Sequence, residues 1–139
     1  MTAAVRWWTA PVPLARVALL RSALYLFVII DMFLFVNDVV PHGYAAEFYK
    51  PLWSGRVLPL PTPTPTLVQA LQWILVVSAL VAATGRLPRV AGATVAVCYF
   101  EWLIIGMSFG KVDHDHLALL VATWVLPTVG KAGFRDATP

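Results

Sequence analysis

Apolar positions dominate the chain in four long runs, and the polar residues that interrupt them fall at regular places. The runs are roughly Leu14–Val40, Thr66–Thr84, Pro88–Phe109 and His114–Gly130. At about 1.5 Å of rise per residue each is read as a helix able to cross roughly 30 Å of hydrocarbon. The second and third are joined by "TGRLPR", where Gly85 and Pro88 break the helix, so these two form a helical hairpin. The longest connection covers residues 41–65. Its prolines between Pro59 and Pro65 cannot continue a helix and favour extended polyproline backbone, so it reads as a spacer. Within it, "AAEFYKPLW" would lie at the membrane surface on Phe48, Tyr49 and Trp53, and Trp7 and Trp8 in "RWWTAP" would sit in an interfacial aromatic belt ahead of the first helix.

Composition agrees with a membrane setting. Of 139 residues, 60% are hydrophobic and 12% charged, about half the charged share of a water-soluble domain. Mean hydropathy is +0.77. The formal charge of +3 is spread out, with no basic block or recognition motif, which argues against nucleic acid as a partner. Cys98 stands alone inside an apolar run, so neither an internal disulfide nor a paired-cysteine metal motif can form. Arg6, Arg16 and Arg21 precede the unbroken apolar stretch of the first run as the basic region of a signal peptide would, but the stretch is too long for one and carries Asp31. It reads as a retained helix.

Lysine and arginine placement sets an expected orientation. Arg6, Arg16, Arg21, Arg86, Arg89, Lys131 and Arg135 fall on one side of a four-span arrangement, and only Lys50, Arg56 and Lys111 on the other. The excess of cations on the inner side of membrane proteins then puts both termini inside and residues 41–65 outside, together with the start of the fourth run. The expected fold is an all-α integral membrane four-helix bundle, a single domain over residues 1–139 in the cell membrane.

Candidate chemistry lies in the polar interruptions. On a continuous first helix, Arg21, Asp31 and Asp38 share an arc of roughly 100°. A charged group in hydrocarbon costs at least ~2.5 kcal/mol, so this stripe should face the bundle interior or a wet cavity. Arg21 and Asp31 are about 15 Å apart along the axis, too far for a direct ion pair, and each therefore needs another partner. Glu101 in the third run stands at about the depth of Asp31, which allows a shared proton or cation site; structural hydrogen bonding is the plainer alternative.

The start of the fourth run, "GKVDHDHLALL", gathers Lys111, Asp113, His114, Asp115 and His116. Asp113 fits an N-cap and Asp115 the first turn, where carboxylates complement the helix dipole. The histidines are not explained by capping. They could handle protons or contact substrate, with His42 and Asp38 completing an outward pocket. A metal is the weaker alternative, since His114 and His116 are about 200° apart on a helix and no metal-binding template is present.

With these residues in view, "VALLRSALYLFVIIDMFLFV" and "GKVDHDHLALLVATWVLP" resemble the opening helices of HTTM proteins, whose transmembrane module is shared with vitamin K-dependent gamma-carboxylase. The hairpin "LQWILVVSALVAATGRLPRVAGATVAVCYF" looks like that of DoxX-type four-helix membrane proteins. The resemblance covers nearly the whole chain but about half of a full HTTM module. It implies a compact bundle whose working side is the outer face, and it carries over no catalytic residue.

Two function classes stay open. One is an accessory or scaffold subunit, its Ala-, Gly- and Ser-rich spans packing against other membrane subunits or further copies of the chain. The other is a membrane enzyme or quinone-linked redox accessory factor using the His/Asp pocket, with a hydrophobic substrate entering from lipid. A transporter is more distant, as no inverted repeat is evident. No cofactor is legible in the sequence.

Overall fold

A computed structural model describes residues 13–58, 60–110, 112 and 114–134. The described residues are helical or irregular, with no strand among them. Three helices are long and apolar enough to cross a membrane: α1 (Leu14–Leu34), α4 (Pro65–Ala83) and α5 (Pro88–Met107). Between α1 and α4 lie two shorter helices, α2 (Val39–His42) and α3 (Trp53–Val57), with a 3-10 turn at Ala46–Phe48. The chain closes with α6 (Leu117–Val125), prolonged by a 3-10 turn over Leu126–Val129.

The hairpin forms where the sequence places it. Thr64 caps α4, its Oγ1 accepting from the Leu67 amide at 3.2 Å, and Pro65 takes the first helical position, where no amide hydrogen is needed. Gly85 then adopts φ +74° and Leu87 φ +49° in the tight turn before Pro88 opens α5. Small residues face inward across this hairpin: Ala79, Ala82, Ala91 and Ala96 are all buried. These small residues let α4 and α5 pack closely on each other, while Ala70 and Ala93 stay on the outside. Bulky residues stand outside as well, including Trp73, Ile74, Val77 and Val90.

α5 is the axis of the molecule. It packs on α4 and α6, while α1 packs on α4 and touches α6. Its inward face carries Val95, Tyr99, Trp102 and Ile105, each with almost no exposure. Trp102 Nε1 donates to the Val36 carbonyl at 3.0 Å, tying α5 to the chain just after α1.

Two expected boundaries are corrected. The first run is not one helix to Val40. It ends at Leu34, where the Asp31 carbonyl receives the amides of both Phe35 and Val36, and after a turn through Asn37 and Asp38 the four-residue α2 begins. Asn and Asp favour turns, Pro41 lacks the amide to continue a ladder, and Trp102 captures the Val36 carbonyl that a longer α1 would need. The fourth run does not begin its helix at His114. α6 starts at Leu117, and the helical stretch to Val129 rises only about 20 Å, short of the ~30 Å of a hydrocarbon core. Trp7, Trp8, Arg6 and Arg135 lie outside the described residues.

Residues 43–52 fold back over the far end of α5. The Lys50 amide donates to the Ser108 carbonyl at 2.9 Å, the Leu52 amide to Ser108 Oγ at 3.4 Å, and that hydroxyl to the Ile104 carbonyl. Phe48 and Trp53 stand exposed, whereas Tyr49 is tucked in, its ring tilted against Phe109 at 5.8 Å. Burial pushes the Tyr49 phenol above its ordinary pKa.

Candidate functional site

Asp31 and Arg21 are the two charged groups buried within α1, 4% and 2% exposed. The structure gives each a partner on the fourth segment. Asp31 lies one helical turn before the end of α1. Its Oδ2 accepts the Tyr99 hydroxyl at 2.6 Å, and its Oδ1 faces His116 Nδ1 at 3.0 Å. With its proton on Nδ1 the His116 ring donates to this oxygen. Three elements meet at one carboxyl group: α1, α5 and the residue at the N-cap position of α6. Charge-assisted bonds of this kind are short and strong, and two of them offset much of the cost of burying the carboxylate.

Arg21 performs the matching task at the other end of the same segment. Its Nη2 donates to the Ala132 carbonyl at 2.7 Å and its Nη1 to the Gly130 carbonyl at 3.3 Å, just beyond the final 3-10 turn. Helix C-termini leave unsatisfied carbonyls and carry partial negative charge, so a guanidinium is well placed there. The adjacent Ser22 donates to the carbonyl of Ala83, the last residue of α4, at 2.6 Å. Consecutive side chains of α1 thus finish two helices. Arg21 fits this space because Gly85 has no Cβ: one built there would stand 2.2 Å from Nη2.

The remaining candidates separate from this site. Asp38 is not on the buried stripe of α1; the helix ends before it, and its side chain is 61% exposed, with Oδ2 3.9 Å from His42 Nε2. His42 stacks on Phe109 at 3.9 Å and 9°. Glu101 does not share a site with Asp31. It follows Tyr99 by two residues, about 200° around α5, and its buried Oε1 has no hydrogen-bond partner. His114 is exposed and lines a different cleft, of about 230 Å³, with Ser54, Phe100 and Met107, so the two histidines part company instead of converging. Asp115 lies in the turn preceding α6. Lys111 and Asp113 lie outside the described residues, so the proposed Asp113 cap has no structural account. Among the described residues no group of three or more His, Cys, Asp or Glu side chains could hold a metal ion.

A cavity of about 40 Å³, room for a water or two, adjoins the Asp31 site. It is lined by His116 and Asp38 together with Val36 and Gly106. The His116 ring therefore stands between the buried carboxyl group and the polar end of the bundle.

Tyr99 is the partner that the sequence reading missed. Its signal was helical phase: it shares the face of α5 that holds Val95 and Trp102, the face the bundle must bury. A tyrosine on such a face needs an acceptor, and Asp31 was already in search of a donor.

Comparison with protein-family models, with curated proteins and with solved structures finds no match.

Proposed function

We propose that the chain is a small multi-pass membrane protein of the HTTM/DoxX-like type acting as an accessory or scaffold subunit of a membrane complex, with four membrane segments and both termini inside. One observation carries the reading: the buried charges of α1 are spent on holding the fourth segment, Asp31 at its start and Arg21 at its end, rather than presented to a substrate. Polar groups used in this way shape a rigid body.

The topology has a direct test. Ser54 lies near the Met107 end of α5 and Lys131 near its Pro88 end. In a Cys98→Ser background, single cysteines at Ser54 and Lys131 should react with an impermeant maleimide from opposite faces of sealed vesicles, Lys131 from the inner one. Labelling of both from one face would remove the four-segment arrangement.

A membrane enzyme or quinone-linked factor is favoured by one specific feature, the line from Tyr99 through Asp31 to His116 and the small cavity shared with Asp38. Such a line can pass a proton between the core and the surface. The two readings part in one experiment, gentle native purification followed by mass spectrometry, applied to the natural chain and to His116→Asn and His114→Ala. Asparagine keeps a donor for Asp31, so the fold should persist. A subunit retains a stoichiometric protein partner in all three. A bound quinone or other small molecule that disappears in His116→Asn alone would overturn the scaffold reading.

A further inference from the structure

The basic end of the bundle continues into an apolar groove. Between α4 and α5 runs a cleft of about 410 Å³ whose walls include Trp73, Ile74, Val77 and Val81 on α4, and Leu87 and Val90 at the start of α5. A second cleft, of about 350 Å³, shares Leu87 and Val90 with it and ends against Arg89 and Lys131. The two clefts adjoin at Leu87 and Val90, the first apolar and the second bounded by cations, and among the described residues no carboxylate lines either. From Trp73 to Val81 the apolar part spans about 12 Å, most of the ~15 Å half-thickness of a hydrocarbon core.

The backbone at the mouth is held in place. Arg21 grips the Gly130 and Ala132 carbonyls from within, which leaves Lys131 between them on the surface. Gly130 lies under Arg89: a Cβ built on it would stand 4.0 Å from Nη2. The clasp that fixes the fourth segment therefore also sets Lys131 beside Arg89.

We infer that this groove binds an anionic phospholipid, one acyl chain lying between α4 and α5 and the headgroup phosphate held by Arg89 and Lys131. Charge complementarity selects this occupant over another protein helix. A partner helix would fill the apolar part but bring no counter-charge to the two cations beside it, whereas a phospholipid supplies both an acyl chain and a phosphate. The inference rests on the membrane placement of the three long helices and is independent of the accessory role.

The full-length chain, delipidated in detergent, is titrated with phosphatidylglycerol and with phosphatidylcholine of identical acyl chains and read by native mass spectrometry. Phosphatidylglycerol should bind roughly tenfold or more tightly. Arg89→Gln with Lys131→Gln, both exposed positions, should bring the ratio close to one, while Lys50→Gln with Arg56→Gln at the far end should leave it unchanged. Val90→Trp, which fills the shared wall, should weaken both lipids with the helical signal intact. Equal binding of the two lipids by the natural chain overturns the proposal, as does a preference that survives Arg89→Gln with Lys131→Gln. Displacement of phosphatidylglycerol by millimolar inorganic phosphate would also overturn it, since the chain would then add nothing. So would a copurified protein that cross-links to a cysteine placed at Val77 and excludes lipid.

Discussion

Asp31→Ala is expected to destabilise the protein by about 3 kcal/mol and to loosen the fourth segment before anything else. The substitution removes the common acceptor of two donors and leaves the Tyr99 hydroxyl and the His116 ring buried without it. Asp31→Asn should cost only about 1 kcal/mol, because the amide oxygen still accepts from Tyr99 and its nitrogen can donate to the other tautomer of His116. Two measurements check this. Thermal unfolding in detergent should fall by roughly 10 °C for alanine and by far less for asparagine. Hydrogen exchange should rise first in residues 117–125. An alanine variant within about 0.5 kcal/mol of the natural chain, or exchange that rises evenly along all helices, would show that the contact does not hold the segment.

The second large effect is at Gly85. Gly85→Ala adds a methyl group 2.2 Å from Arg21 Nη2 at a residue with φ +74°. Left-handed backbone costs an alanine about 1 kcal/mol. The overlap adds to this, because the guanidinium is tied to two carbonyls and cannot withdraw without breaking those bonds. A total near 3 kcal/mol is expected. The partition is accessible by a double-mutant cycle: in an Arg21→Ala background the cost of Gly85→Ala should shrink to about the backbone part alone. Strict additivity of the two substitutions would mean that Arg21 is not seated against Gly85. Gly110→Ala provides the control, since φ there is +106° but among the described residues no atom lies within 4 Å of the added methyl.

The parts of this fold that are legible in the sequence are those fixed by local chemistry. Pro65 after Thr64, and Gly85 before Pro88, mark the ends of α4 and α5 because capping, missing amides and positive φ act within a few residues. The end of α1 is less visible. Residues 14–40 are apolar enough to continue as helix, and what stops them is partly remote, the Trp102 indole taking the Val36 carbonyl from 66 positions away. The need of Arg21 and Asp31 for partners follows from the cost of buried charge, but the identity of those partners does not. Backbone carbonyls at Gly130 and Ala132 leave no mark in a residue pattern, and Tyr99 looks like any other aromatic of a buried face. The "DHDH" cluster misleads for a related reason. Adjacent residues in sequence share no site once the backbone turns, so His116 goes inward to Asp31 and His114 outward to a lateral cleft.

The shortness of the last helical stretch bears on biogenesis. A segment of about 20 Å matches the bilayer poorly when it stands alone, and the polar stretch before it adds to the cost of leaving water. Its two anchor points belong to α1, made about a hundred residues earlier in synthesis. On the four-segment arrangement proposed above, the segment at 117–129 would enter the membrane only after α1, α4 and α5 have assembled around the place it fills. Lesions at position 21 or 31 would then appear first as a topology defect, with the chain beyond Gly110 stranded at the surface where quality-control proteases can reach it.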